Sequence, residues 1–331
     1  KSYLPQRSSR FKSIMKNSLA APYGTSLRMS DVGYKNKNQS HLKINFNSLE
    51  QYIDALIKAM NTPYPEYEAI GIYEEDNQIQ LSANLLQIEN EYYSCIRPKG
   101  ISLEGQRPTV SLQQNGIDYI EMRSLDVNPF DPFGIERDCL LFCEIFLIFC
   151  LLEDSPLISD LEYEMLEYNE LSVALRGRQP NLTLLKDLNE KKIFIRDWSD
   201  DLLKKMVPIG EALDSANLTN QYSQALRNQQ NSVKNPDLLP SARFHQLLIE
   251  SNQEYQDFNF NLASQNVKQI NEEYLAPDKI AYFESVNNQS QKKQRLLEAG
   301  SKGSDLNNYI ETYLSDKLKK CIFVKICEPI V

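Results

Sequence analysis

The chain has 331 residues, of which 41% are hydrophobic and 24% are charged, a composition typical of a globular protein with one large domain or two ordinary ones. Its formal net charge of −9 argues against nucleic-acid binding, because such binding depends mainly on basic side chains that neutralise phosphates. The same charge is compatible with a site for divalent cations. We therefore expect no nucleic-acid partner.

Neither a membrane span nor a secretory signal is indicated. The most apolar run, Cys139 to Leu152, is too short to cross a bilayer and contains Glu144, so it predicts a buried helix. The first residues are basic and polar and lack the apolar segment of a signal peptide. Six cysteines without a CxxC pair favour reduced, buried thiols. We expect a cytoplasmic protein with no membrane partner.

In chain order, the first clear element is a helix followed by strand-like segments. Asn47 and Glu50 resemble a capping box, and apolar residues recur at helical spacing as far as Met60. Strand-like patterns follow between about residues 65 and 130, in the runs 69–73, 79–97 and 117–127.

Helical patterns dominate beyond residue 155. Ser159 and Glu162 resemble a second capping box, and Gly177 follows Arg176 where a helix C-cap glycine is common. We therefore expect an α+β fold, with a sheet-containing part over residues 1–153 and a helical layer packed on it over residues 154–331.

The strand predicted over 117–127 carries an acid and a base on one face. Because residues alternate faces, Glu121 and Arg123 point to one side, whereas Ile120 and Met122 point to the other side and face a core. A carboxylate beside a guanidinium suggests a site for a metal and a phosphate. An isolated motif of this kind is more often a solvated face with an incidental ion pair, and this alternative stays open.

Two further segments carry candidate functional groups. Within the run 79–97, the segment from Gln87 to Arg97 predicts a second charged strand. Its polar face mixes acids, an aromatic hydroxyl and a guanidinium: Glu89, Glu91, Tyr93 and Arg97. Two such strands in one sheet would orient a zwitterionic substrate and a metal-bound phosphate. Arg28 and Tyr34 lie in a loop-like segment, where side chains are solvated unless the scaffold directs them into a pocket.

Three segments together resemble the proteobacterial glutamate–cysteine ligases (γ-glutamylcysteine synthetases), which catalyse the first step of glutathione synthesis. They are TSLRMSDVGYKNK (25–37), LQIENEYYSCIRPK (86–99) and GIDYIEMRSLDVNPFDPFGI (116–135). Shorter matches include Arg178-Gln-Pro, Asn235-Pro-Asp-Leu and Ser241-Ala-Arg. The resemblance extends from about residue 22 to about residue 250.

The resemblance implies an ATP-dependent ligase with a glutamine synthetase-like fold. Residues 1–153 would supply the C-terminal part of its catalytic sheet domain, a curved antiparallel sheet. ATP would phosphorylate the γ-carboxylate of L-glutamate, and the amine of L-cysteine would attack the γ-glutamyl phosphate. Mg²⁺ or Mn²⁺ would bridge the phosphates, a role for which carboxylate oxygens are the preferred protein ligands.

The resemblance also implies roles for individual residues. Glu121 matches a metal-binding carboxylate, and Arg123 matches the catalytic contact to the transferring phosphoryl group. Arg28, Tyr34 and Tyr93 match positions that bind the amino-acid substrates, chiefly around the cysteine site. No residue is assigned to ATP itself.

Members of this family are much longer than 331 residues, and the N-terminal portion that supplies further metal-binding glutamates has no counterpart here. We therefore expect impaired ligase activity from this chain alone. Two alternatives stay open. The chain could be an inactive or split-protein half that requires a separate N-terminal half. It could also be a binding module whose basic stretch, Arg7 to Lys16, contacts nucleic acid or another acidic surface.

Overall fold

The computed structural model describes residues 10–33, 42–75, 77–103, 106–189, 191–272 and 274–300, together with residues 310 and 313. The chain divides into two compact units. The first unit comprises Lys1–Lys43 and Ser124–Glu273, and the second comprises Ile44–Arg123 and Tyr274–Val331. No boundary of these units falls at the predicted division between residues 153 and 154, and a sheet domain covered by a helical layer stays a prediction.

Helices account for most of the regular structure. In chain order they are α1 (Leu49–Met60), α2 (Pro65–Ile70), α3 (Pro108–Asn115), α4 (Arg137–Leu152), α5 (Asp160–Arg176), α6 (Ile195–Asn217), α7 (Gln221–Lys234), α8 (Pro240–Ser251), α9 (Tyr255–Glu272) and α10 (Pro277–Gly300). None of the helices in the described ranges is both long enough and apolar enough to cross a bilayer.

The strands are short and pair locally. They are β1 (Lys12–Ser13), β2 (Leu19–Ala20), β3 (Tyr73–Glu74), β4 (Asn77–Gln78), β5 (Ile96–Lys99), β6 (Tyr119–Met122), β7 (Thr183–Leu185) and β8 (Lys192–Phe194). Each odd-numbered strand pairs in antiparallel fashion with the next strand, which gives four two-stranded sheets. The predicted α+β class is confirmed, as is the mainly helical character beyond residue 155.

The prediction of a strand over residues 79–97 is wrong for most of that range. A single 3₁₀ turn, Glu89–Glu91, interrupts the segment, and a strand begins only at Ile96. The backbone N–H groups of Glu91 and Tyr92 donate to the carbonyls of Ile88 and Glu89. Because a turn breaks the two-residue alternation of a strand, residues 89 to 97 do not share one face.

In the second unit, α1 supplies the core. Its N-cap is Ser48 rather than the expected Asn47, since the Ser48 hydroxyl accepts a hydrogen bond from the backbone N–H of Gln51. The buried face of this helix includes Tyr52, Ile53, Leu56, Ala59 and Met60. The predicted amphipathic helix is thus confirmed, and α3 packs against it.

In the first unit, α4, α6 and α7 pack together. Their shared core consists of the buried side chains of Ile145, Phe149, Leu203, Met206, Tyr222 and Leu226. The predicted α4 helix is confirmed, but it is only partly buried, since Leu151 and Leu152 at its C-terminal end are exposed. A helix that packs on one side buries only the residues of that side, even when its whole sequence is apolar.

Local sequence signals in the first unit are also confirmed. Ser159 and Glu162 form the expected reciprocal capping box at the start of α5, and Gly177 occupies the C-cap of the same helix. The expectation of buried thiols is wrong for Cys95 and Cys150, which are exposed. Cys139 and Cys143 are partly buried, and Cys321 and Cys327 lie outside the described residues.

Candidate active site in the second unit

The β5–β6 hairpin-like sheet carries the predicted acid and base. Its register pairs Arg97 with Glu121 and Lys99 with Tyr119. Between the strands, α3 ends at Gly116, whose φ of +81° lies in the left-handed region that glycine adopts without steric cost. The ladder extends past β6, because the backbone N–H of Arg123 donates to the carbonyl of Cys95 at 2.8 Å.

Four charged side chains meet on this ladder, and we call Arg97, Lys99, Glu121 and Arg123 the ion cluster. Glu121 Oε1 accepts a hydrogen bond from Arg123 Nη1 at 2.9 Å, and Glu121 Oε2 lies 3.4 Å from Lys99 Nζ. The guanidinium of Arg123 lies 4.8 Å from the ring centroid of Tyr93, and that of Arg97 lies 5.3 Å from the same centroid. The structure therefore brings Glu121, Arg123 and Tyr93 together.

Burial does not separate the two sides of β6 in the way that was expected. Ile120, which was expected to face a core, is exposed, whereas Met122 on the same side and Glu121 and Arg123 on the other side are partly buried. The physical reason is the network of ion pairs and ring contacts, which holds the charged groups against β5 and the Tyr93 ring. The Arg123 and Glu121 side chains are 24% and 35% exposed, so the pair is partly buried.

The ion cluster carries excess positive charge. Three cationic side chains surround the single carboxylate of Glu121, in a chain whose formal net charge is −9. Burial, followed by repulsion from Arg123, lowers the pKa of Arg97 below its ordinary value. The Arg97 guanidinium donates to the backbone carbonyls of Asn90 and Tyr92. An excess of fixed cationic groups favours the binding of an anion.

Two polar atoms of the ion cluster lack hydrogen-bond partners. Among the described residues, three buried side-chain nitrogen or oxygen atoms have no partner, and two of them are Glu121 Oε2 and Arg123 Nε. A buried polar atom without a partner is costly unless a ligand satisfies it. Arg123 Nε can donate to an anionic oxygen, which fits a phosphate. Glu121 Oε2 already lies 3.4 Å from Lys99 Nζ, and one carboxylate among three cationic side chains does not form a site for a divalent cation by itself.

A buried ion pair holds the turn that precedes Tyr93. Arg107 Nε donates to Glu89 Oε1 at 2.8 Å, and the two side chains are only 7% and 4% exposed. The hydroxyl of Thr109 donates to the same carboxylate oxygen. Glu89, which was expected on the polar face with Tyr93, is therefore a structural anchor of the Glu89–Glu91 turn.

The remaining predicted site residues lie elsewhere or are not described. In the first unit, Arg28 Nε donates to Asp126 Oδ1 at 2.6 Å, and Arg28 Nη2 donates to the Leu125 carbonyl at 2.7 Å. Tyr34 lies outside the described residues. Within the described ranges, no group of three or more His, Cys, Asp or Glu side chains has an arrangement that could hold a metal ion.

Sequence reasoning missed Arg107, Thr109 and Lys99. The first two have no local signal, because their partner Glu89 is 18 and 20 residues away along the chain. Lys99 does carry a signal, since it lies two residues after Arg97 and alternation puts both on one face of β5.

Comparison with known proteins identifies the family. The glutamate-cysteine ligase family model matches residues 1–173. The glutamate–cysteine ligase of Pseudomonas paraeruginosa is 37% identical over 311 residues, which are 94% of this chain and 58% of that protein. That of Hahella chejuensis is 36% identical over 317 residues, covering 95% and 60% of the two chains. The chain belongs to the glutamate–cysteine ligase family, and it spans about 58–60% of the length of these relatives.

Solved structures give the same result. The crystal structure of Francisella tularensis glutamate–cysteine ligase in complex with AMP is similar with a TM-score of 0.83 and 31% identity, over 93% of this chain and 60% of that one. A bifunctional glutathione synthetase from Pasteurella multocida matches with a TM-score of 0.53 and 19% identity, over 75% of this chain and 27% of that one. The second likeness concerns the fold alone. The resemblance inferred from the sequence motifs is thus confirmed.

Proposed function

We propose that this chain carries part of the active site of an ATP-dependent ligase that joins the γ-carboxylate of L-glutamate to the amine of L-cysteine. Family membership supports this proposal, as does the AMP bound to the Francisella tularensis relative. In this proposal β5 and β6 belong to the curved antiparallel sheet of a glutamine synthetase-like ligase, to which residues 1–153 contribute.

The observation that carries the proposal is the ion pair of Glu121 and Arg123, in which Glu121 Oε2 and Arg123 Nε have no hydrogen-bond partner. Glu121 would supply Oε2 as one ligand to Mg²⁺ or Mn²⁺. A bound divalent cation neutralises charge on the phosphates of ATP. Arg123 donates from Nε to the phosphoryl group that passes to glutamate, while its Nη1 remains bonded to Glu121 Oε1 at 2.9 Å.

Tyr93 and Arg28, together with Tyr34, bind the amino-acid substrates in this proposal. The Tyr93 ring lies against the guanidiniums of Arg97 and Arg123, and its hydroxyl can donate to a substrate carboxylate without adding charge. Arg28 has a planar guanidinium that can donate two parallel hydrogen bonds to a carboxylate.

A ligase assay tests the proposal. ADP release that depends on both glutamate and cysteine is measured for the chain alone and for the chain mixed with the part of the Pseudomonas paraeruginosa relative that lies outside the match. Arg123→Lys is compared with Arg227→Lys, an exposed arginine of α7. Loss of one charge-assisted hydrogen bond costs about 1.5–3 kcal/mol, so Arg123→Lys should lower the rate at least tenfold.

Arg227→Lys should leave the rate within about twofold, because exposed substitutions are nearly neutral. Absence of cysteine-dependent ADP release in both arms would refute the ligase proposal. Equal rates for the two arginine variants would refute the role of Arg123 alone.

A further inference from the structure

The outer edge of β6 has backbone groups with which no other strand pairs. The backbone N–H of Arg123 donates to the carbonyl of Cys95, so both of these residues direct their backbone groups across the β5–β6 ladder. Backbone groups of an antiparallel strand point alternately to its two edges. Those of Glu121 therefore face β5, and those of Ile120 and Met122 face the opposite edge. Within the described ranges, β5 is the only strand that pairs with β6.

The other edge of this sheet, on β5, is less suited to accept a strand. By the same alternation, the backbone of Pro98 faces away from β6, and proline has no N–H group to donate. Proline on an edge strand is a common means of preventing further pairing. In addition, α3 packs against β5. The sheet can therefore be extended at the edge of β6.

Apolar side chains lie along this open edge. Ile117, Tyr119 and Ile120 are exposed, and isoleucine and tyrosine are residue types that favour strands. An exposed apolar edge strand pairs readily with another strand, and a two-stranded sheet by itself is only marginally stable in water. The open edge of β6 thus offers both the backbone groups and the side chains that bind an extended apolar segment.

The relatives indicate the source of such a segment. The match with the Francisella tularensis ligase covers 93% of this chain but only 60% of that one, and the match with the Pseudomonas paraeruginosa ligase covers 58% of the relative. About two-fifths of each relative therefore lies outside the match. A strand in that remaining part is tethered to the matched part, and a tether raises its effective concentration at the edge.

We propose that the open edge of β6 binds an extended apolar strand from the part of the glutamate–cysteine ligase fold that the relatives carry outside the match. Such a strand would lie about 4.8 Å from β6 and would place alternate side chains beside Glu121 and Arg123. The partner would thus supply a further wall of the candidate site. This inference rests on the part of the proposed function that assigns β5 and β6 to a larger antiparallel sheet, and it does not depend on the role of Arg123.

Amide hydrogen exchange followed by NMR tests this inference without any assay of activity. The full chain is measured alone and in complex with the unmatched part of the Pseudomonas paraeruginosa ligase, which is co-expressed with it. The amides of Ile120 and Met122 should exchange at least about tenfold more slowly in the complex, because new hydrogen bonds protect them. The amide of Glu121 faces β5 already, so it should change far less and serves as the internal reference.

A proline variant tests the backbone pairing directly. Ile120→Pro removes the outward N–H group at a position where an edge strand tolerates proline, and Ile120→Val is the matched control that keeps this group. Sedimentation of each co-expressed complex over a dilution series gives its dissociation constant. Ile120→Pro should raise this constant about tenfold or more, because an acceptor on the partner loses its hydrogen bond. Ile120→Val should stay within about twofold of the wild type.

Absence of a complex, or a complex that leaves the amides of Ile120 and Met122 unprotected, overturns the inference. Equal dissociation constants for the two Ile120 variants overturn it as well. Protection in the chain alone, accompanied by self-association, would show that a second copy occupies the edge, which also overturns it. Protection in a complex that lacks cysteine-dependent ADP release would contradict the ligase proposal and leave this inference intact. ADP release with unprotected amides would contradict this inference alone.

Discussion

Removal of the Arg107 guanidinium should strongly destabilise the second unit. In Arg107→Met, the carboxylate of Glu89 stays buried, because its side chain is only 4% exposed, and loses the ion pair at 2.8 Å. Breaking a buried ion pair by removing one partner typically costs about 3–5 kcal/mol. The Thr109 hydroxyl still donates to the same oxygen, so we expect the lower end of this range, about 3 kcal/mol.

Urea denaturation followed by circular dichroism measures this cost. The matched control is Lys43→Met, which breaks an ion pair of the same length, 2.8 Å, between side chains that are 41% and 57% exposed. An exposed pair contributes about 1 kcal/mol at most, so the difference between the variants isolates the effect of burial. The double variant Glu89→Gln with Arg107→Met should recover part of the loss, because it leaves no buried charge without a partner.

A loss of stability in Arg107→Met no greater than that in Lys43→Met would contradict a stabilising role of the buried ion pair. A double variant less stable than Arg107→Met would contradict it as well. A confirmed loss has a further consequence for the site, because the anchored turn Glu89–Glu91 leads directly into Tyr93. Arg107→Met should therefore weaken the packing of the Tyr93 ring against Arg123.

Three other predictions concern the first unit. Hydrogen bonds from the Ser159 backbone and side chain lower the pKa of Glu162 below its ordinary value of 4.5. The stabilising effect of these bonds is present above pH 4.5 and is lost as the pH falls through the lower pKa of the folded protein. Ser159→Ala should therefore lower the urea midpoint more at pH 7 than at pH 3. The hydrogen bond with Cys139 lowers the pKa of Cys143 to about 7 and raises that of Cys139, so iodoacetamide at pH 7.5 should label Cys143 before Cys139, and equal labelling of the two would contradict the assignment. Ile145→Ala should lower the free energy of unfolding in urea by about 2–5 kcal/mol, because this side chain is fully buried. Leu151→Ala, at an exposed position of α4, should lower it far less.

Elements with a strong local signal could be predicted from the sequence. The helix at Leu49–Met60 follows from its apolar spacing, and the start of α5 follows from the reciprocal bonds of Ser159 and Glu162. The strand expected over 79–97 could not be corrected from the sequence. The turn there depends on Glu89 meeting Arg107, and a contact between residues 18 apart leaves no trace in local periodicity.

The candidate site could be predicted only in part, because local sequence patterns indicate some of its contacts and not others. The adjacency of Glu121 and Arg123 follows from the two-residue period of a strand, and the structure confirms it. The contact between Tyr93 and Arg123 does not follow from this period, because a turn and a strand boundary separate their segments. The exposure of Ile120 also could not be derived, since alternation does not show which side of β6 other elements cover.

The central claim is that Glu121 and Arg123 hold a divalent cation and a nucleotide phosphate. A crystal structure of the chain with Mn²⁺ and ADP, with data collected at the manganese absorption edge, tests it most directly. We predict an anomalous peak about 2.1 Å from Glu121 Oε2 and a phosphate oxygen about 3 Å from Arg123 Nε. A manganese peak remote from Glu121, with Oε2 still facing Lys99, would contradict the claim.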